Sequence, residues 1–474
     1  MAFKSIIAII FLVQIAGVAS AQSQSTYPTI RGNVDISIRK GTIACDFFVT
    51  DLPDVKNYVI RLNSGMNLHY FKDVGRSNDA LYYDADTKDS IMSDETKAYF
   101  VHENRGNPAR YLPKELEIKY MGMYPVIRDS VSGYMGADWR GNVAFNGYSV
   151  RAEGLQGCWY PVLYDKDTRL RYTDVRYNIN VTCNDCNVLF VNGSKPVRGT
   201  KAHFVSDKPH QMALYCGKFK ATERNGVWLL NSDMQKADEQ KLFTTAKTYQ
   251  DYYVKQTDIP FNGNLSFIQS TPVANPKNWG FAFFVAPTTI NVAVGQWGMA
   301  SMFNGTNGPN SKKTMAHELA HYYFGSLLTT DGEFGHIVDE SFAEYMALNL
   351  TKNMESDQDY REVLQKRITP LKYLHNYKPW AQVVKEADYG NREYYLYYYG
   401  PVLLTAIEKE IGEEPMRQWL RLMLAADKPQ HTDYNFVLTT FKKAVPDAAL
   451  QQKVIGSYFT STSALSTAIA KIGL

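Results

Sequence analysis

The string His317-Glu318-Leu319-Ala320-His321 constrains this chain more than any other feature of it. Residues four apart share one face of an α-helix, so two imidazoles at that spacing can converge on one metal ion. Glu318 follows the first histidine and can reach a water on that metal. The helix needs a neighbour, because a hydrolytic zinc takes three protein ligands and keeps one position open. Glu340 lies nineteen positions beyond His321, at the start of a second helical pattern over 338–350. Ala343, Met346, Ala347 and Leu350 supply that pattern's apolar face. A loop over 326–337 can bring the second helix back antiparallel to the first. The spacing therefore predicts one Zn2+ per chain, held by His317, His321 and Glu340. His336, in a loop that also carries Gly332 and Gly335, is an alternative ligand in a less fixed position. Glu344, one turn past Glu340, can accept the free ring N–H of a ligand histidine and fix its tautomer.

The surroundings divide the chain. Residues 22–230 read as a β-rich, sandwich-like domain of short strands bounded by Gly, Asn, Asp and Pro. The run 57–71 alternates weakly, with Tyr58, Ile60 and Leu62 on one face. Residues 176–194 read as two strands about a turn at Asn184-Asp185, and 201–222 as two more broken at Pro209. Near residue 231 the period changes. Leu242, Ala246, Tyr249 and Tyr253 mark an amphipathic helix over 231–256. Strands come next at 265–271, 279–287 and 290–295, then a loop at 304–310. The metal-binding helix is expected from an N-cap at Ser311 to Phe324, stopped by Gly325. Further helices are expected at 357–367, 377–386, 399–412, 414–425, 434–443 and 448–456. This order describes an α+β domain over 231–474.

The first 21 residues read as a secretory signal: Lys4, an apolar run over 6–13, and Ala19-Ser20-Ala21. That run is too short for a membrane span. The chain is expected to be exported, to the periplasm or the extracellular space, with no stable membrane insertion after signal removal. Export permits disulfides. Cys183-Asn-Asp-Cys186 reads as a strand-end turn or a disulfide rather than a redox site, and an odd count of five cysteines leaves at least one thiol unpaired. Lys plus Arg is 51 against 48 Asp plus Glu, a net charge of +3, which gives no sign of a nucleic-acid partner.

The stretch 317–345, HELAHYYFGSLLTTDGEFGHIVDESFAEY, closely resembles the M1 family of gluzincin aminopeptidases. That family has HExxH, then eighteen residues, then Glu inside an Asn-Glu-Gly-Phe-Ala-x-Tyr string. Eighteen residues separate His321 and Glu340 here as well. The family's Phe-Gly is present as Phe324-Gly325, and its Asn-Glu-Gly appears as Asp339-Glu340-Ser341. The resemblance puts the family's catalytic tyrosine at Tyr397, in Tyr397-Tyr398-Tyr399-Gly400; Tyr394, Tyr395, Tyr398 and Tyr399 are the alternatives if the match slips. It implies a multidomain fold, an N-terminal all-β sandwich-like domain followed by an α+β thermolysin-like zinc metallopeptidase domain. It also implies a short two-domain form without the long C-terminal helical domain of many members.

One departure stands out. The family's Gly-x-Met-Glu-Asn string, whose glutamate binds the substrate's amino terminus, is missing. Residues 279–295, WGFAFFVAPTTINVAVG, contain no acidic residue. Asp138 and Glu153 are the substitutes the first domain offers. The expected function is a zinc peptidase acting on peptides or unfolded protein segments, with Glu318 as general base and Tyr397 as transition-state donor. Aminopeptidase action comes first. An endopeptidase without a free-amine requirement, and an inactive peptide-binding scaffold on the same fold, are the alternatives.

Overall fold

The computed structural model describes residues 27–76, 79–87, 96–128, 143–154, 157–271, 283–293, 298–304, 309–330, 332–426 and 431–473. The expected signal, residues 1–21, and Asp138 lie outside them. Among the described residues no helix is long and apolar enough to cross a membrane.

An N-terminal β-rich region precedes a mixed α+β region, as the patterning requires. The first region is built on a six-stranded sheet whose order is 201–210, 175–183, 29–37, 42–50, 116–123, 66–73. Strand Thr29–Ser37 shows why it forms: Ile30, Val34 and Ile36 are buried, while Arg31, Asn33 and Asp35 face outward. Register carries the same faces across the sheet, pairing Val34 with Cys45 and Cys45 with Tyr120. Two further sheets complete this region, one ordered 197–198, 188–191, 214–217, 149–152, 144–145 and the other 171–172, 162–165, 58–63, 96–104, 83–85.

The expected run over 57–71 is two strands, Tyr58–Asn63 and Met66–Asp73, and they belong to different sheets. Its weak alternation has a physical cause. Tyr58, Ile60 and Leu62 enter the main core, and Val59 packs with Ala98 and Tyr164 on the other face. Pro209 does not break its strand, which runs from Lys201 to His210. That strand is a sheet edge, and Pro209 falls where its pairing with Val175–Cys183 slips, between the Ser206 and His210 pairs, so no ladder N–H is lost. The turn between Val175–Cys183 and Val188–Val191 falls where expected, closed by a Cys183–Cys186 disulfide; Cys45, Cys158 and Cys216 are buried thiols.

The α+β region rests on a sheet ordered 221–224, 227–230, 265–269, 289–292, 283–285. The hairpin 221–230, which the change of period at 231 assigns to the first domain, thus hydrogen-bonds into the second region's sheet through a parallel pairing with Leu265–Gln269. Phe283–Val285 is the antiparallel edge strand. The β-rich region packs on this sheet through a cluster that joins Phe190, Tyr215 and Phe219 to Ile268 and Val285.

Helix Lys236–Thr257 buries Leu242, Ala246, Tyr249 and Tyr253 as its spacing requires. Its Tyr253 hydroxyl donates to the carbonyl of Ala316 at 2.7 Å, on the metal-binding helix. Helices at 357–368, 400–411, 413–424 and 434–444 sit within a residue or so of expectation. The helix expected over 377–386 is instead two 3-10 turns, 380–382 and 386–389, organised around the fully buried Trp380. Helices 299–304 and 464–472 are additional to those expected from the apolar spacing.

Candidate metal centre

Helix Pro309–Ala320 begins two residues before the expected Ser311 cap and ends before His321. His321 remains in register because its N–H still donates to the carbonyl of His317, at 3.3 Å. The chain then turns and reverses at Gly325, whose φ of 122° favours glycine. A side-chain Cβ there would also meet the Asp339 carboxylate at 2.6 Å.

The expected loop over 326–337 is partly helical. A short helix, Gly332–His336, runs into a π-helical turn, Ile337–Ser341, and then into helix Phe342–Met354. Glu340 lies inside the π turn. Tyr397 lies inside another, Tyr395–Tyr399. Such turns insert a residue into the helical register and re-aim side chains, which is why they gather at functional sites. The two turns are pinned together. Ser341 Oγ donates to the carbonyl of Leu396 at 2.7 Å, and a Cβ on Gly400 would lie 2.1 Å from that same Oγ.

The three expected ligands converge. His317 Nε2 and His321 Nε2 are 3.1 Å apart, and Glu340 Oε2 is 3.5 and 3.4 Å from them. A tetrahedral zinc with bonds of about 2.0–2.1 Å spaces its ligand atoms by about 3.3 Å. Glu340 Oε2 is buried and, among the described residues, has no hydrogen-bond donor. Burial opposes a charge on His321, yet Asp339 and Glu340 outweigh it and raise its pKa well above the imidazole range. Burial likewise opposes the Glu340 charge, yet His317 and His321 hold its pKa well below the carboxylate range. The cluster favours positive charge between its three ligand atoms, so its residues fit a zinc ion.

Each histidine is oriented from behind. Glu344 Oε2 is 3.1 Å from His317 Nδ1, the role its spacing predicts. Asp339 Oδ1 is 2.9 Å from His321 Nδ1, and the carbonyl of Phe324 is 3.0 Å from it. Glu344 is also gripped by two cations, Lys313 Nζ at 2.6 and 2.7 Å and Arg367 Nε at 2.6 Å. Burial pushes the Lys313 ammonium down to about 8 although Glu344 opposes the shift. Asp339, Lys313 and Arg367 were not anticipated as parts of the site. Lys313 stands one helical turn before His317, and Asp339 directly precedes Glu340, so spacing alone could have raised both. Arg367 carries no such signal.

The walls are aromatic. The Tyr397 ring is 5.8 Å from the His317 ring, and the Phe284 ring, on the edge strand, is 6.3 Å from that of His321. Burial, then the Glu340 charge, raises the Tyr397 pKa well above the phenol range and keeps it protonated. Glu318 is buried beside the ligands, and burial lifts its pKa to about 7. His336 ends its short helix and does not join the ligand cluster. Glu153 is buried in the β-rich region.

A His317–His321–Glu340 cluster fit for one zinc, with a buried glutamate in the same helical turn, defines a zinc metallopeptidase. Residues 278–458 match the Peptidase family M1 domain. The fold is similar to that of an M1 zinc metallopeptidase from Deinococcus radiodurans, at 13% identity and a TM-score of 0.59, over 90% of this chain and 93% of that one. A mutant of that enzyme bound to the substrate Tyr-Ser-Ala gives a TM-score of 0.58 at 12% identity, over 91% and 92% of the two chains. Native leukotriene A4 hydrolase from Saccharomyces cerevisiae reaches 0.64 at 12% identity, over 90% of this chain and 66% of that one. No curated protein sequence matches this chain.

Proposed function

We propose that this chain is an exported zinc aminopeptidase acting on short peptides, with Glu318 as general base and Tyr397 as oxyanion donor. The carrying observation is the position of Glu318, buried one residue from a ligand histidine and raised to about 7. Zinc held by His317, His321 and Glu340 supplies Lewis acidity toward a carbonyl and lowers the pKa of water. Glu318 takes a proton from the attacking water and delivers it to the leaving amine, a task suited to a pKa near the working pH. Tyr397, protonated and facing the ligands from the opposite wall, donates to the developing oxyanion. The edge strand Phe283–Val285 offers backbone groups to an extended peptide, giving affinity with little sequence preference. The tripeptide bound by the Deinococcus enzyme supports a peptide substrate. The Cys183–Cys186 disulfide supports export.

A second reading, an endopeptidase without a free-amine requirement, draws on the edge strand itself. Phe283, Phe284 and Val285 carry no carboxylate to neutralise an ammonium. Asp138 and Glu153 are the carboxylates that the aminopeptidase reading offers for that purpose. Matched fluorogenic peptides with free and acetylated amino termini test the choice, beside a Glu318→Gln control and a zinc determination. Cleavage of free-amine peptides alone, lost in the control, is the expected result. Cleavage of blocked peptides selects the endopeptidase. Bound zinc without turnover of any peptide selects a scaffold.

A further inference from the structure

The edge strand beside the metal centre is held partly from outside its own sheet. Asn192 ends the β-rich region's strand Val188–Val191 and is fully buried. Its Nδ2 donates to the carbonyl of Gln211 at 2.7 Å and to the carbonyl of Ala286. Its Oδ1 accepts from the N–H of Ala213 at 2.6 Å. One side-chain amide therefore ties two backbone positions of the first region to the residue just past the edge strand. Gly193, at a φ of 77°, lets the chain come close; a Cβ there would lie 2.9 Å from Pro287 Cγ. A second asparagine repeats the device. Asn146 Nδ2 donates to the carbonyl of Thr271 at 3.0 Å, beyond the end of strand Leu265–Gln269.

Alternation along the strand gives this contact a consequence for the site. Val285 packs into the cluster between the two regions, whereas Phe284 lies toward His321. The Arg151 guanidinium stands 5.6 Å from the Phe283 ring. A displacement of the Ala286 carbonyl moves Phe284, two residues away, and the strand's open backbone edge with it.

We infer that Asn192 is a positioning residue for substrate, setting the height of the edge strand above the metal ligands from the β-rich region. The inference rests on the proposed pairing of an extended peptide with that strand. The Asn192 amide bonds to the backbone of Gln211, Ala213 and Ala286, so its loss acts on the grip along the peptide rather than on the metal ligands. Asn192→Ala removes the donor, and Asn192→Asp keeps the side chain's shape while facing the Ala286 carbonyl with an acceptor.

Both variants are measured with wild type on a peptide series of increasing length, together with zinc content and hydrogen exchange. The expected result is a rise in KM of about tenfold for the longest peptides, little change in kcat, and unchanged zinc. Amides of 283–292 lose exchange protection while those of 309–320 keep it. Equal KM and equal protection at 283–292 in active variants overturn the inference. Global loss of protection in both variants, with loss of zinc, overturns it in favour of a purely structural role. A wild type that cleaves no peptide of any length removes the underlying reading instead, and exchange at 283–292 then judges the anchoring by itself.

Discussion

The two regions of this molecule treat regular geometry in opposite ways. In the six-stranded sheet, side chains alternate between core and solvent along Thr29–Ser37, and register holds through the central pairings, shifting only against the edge strands Lys201–His210 and Met66–Asp73. In the helical region the register breaks at the functional positions, and also once away from them, at the π turn Ile455–Phe459. His321 lies past the end of its helix, and Glu340 and Tyr397 lie in π turns. Uniform repetition builds support, and local departures from it aim ligands. Buried charge occurs in both regions but is put to different use: Asp86 joins Arg110 and Lys166 within the β-rich region, whereas the carboxylate of Glu344 gathers Lys313, Arg367 and His317 behind the metal site.

This contrast can be broken experimentally, starting where the largest change is expected. Glu340→Ala removes the carboxylate from the π turn; zinc content should fall to background with activity, read by metal analysis after dialysis. Glu318→Gln should keep zinc while kcat drops by about 10²–10⁴-fold, the usual worth of a positioned acid–base. Lys313→Met leaves Glu344 with one cation fewer in a buried site. Arg367 still pairs with Glu344, so denaturant unfolding should register a loss of about 1–3 kcal/mol. Tyr397→Phe should lower kcat by about 10²–10³-fold with zinc and stability unchanged, as for loss of one oxyanion donor. An unchanged kcat would leave Tyr397 as packing. In the sheet region, replacing Cys183 and Cys186 by serine should cost only about 2 kcal/mol, since the closed loop is short. Zinc content and kinetics should not move, which would sharpen the division between support and site.

Those divisions also decide what could be read from sequence. The ligand set was legible because four-residue spacing on a helix, and a carboxylate on its neighbour, are local properties. Glu344 needed only one more turn of the same pattern. Where the register is irregular, spacing misleads: the loop expected over 326–337 is helical from Gly332 on, and no pattern distinguishes a π turn from the α-helix around it. Contacts between distant segments were illegible for a different reason. Arg367 reaches Glu344, and the hairpin 221–230 reaches Leu265–Gln269, through tertiary packing that leaves no periodic trace. Pro209 misled because it interrupts the pairing of its edge strand, in a slip between Ser206 and His210, without ending the strand.

The close contact between Ser341 and Gly400 bears on how this centre can change by insertion and deletion. Taking one residue out of Ile337–Ser341 would return that segment to α-helical register and rotate helix Phe342–Met354 by about 100° relative to it. Ser341 would then swing off the Leu396 carbonyl to which it now donates. A compensating deletion within Tyr395–Tyr399 would be needed before the two turns could meet again. Substitution can therefore explore this pocket one position at a time, but changes of length must come in pairs, and the glutamate and the tyrosine descend as a linked unit.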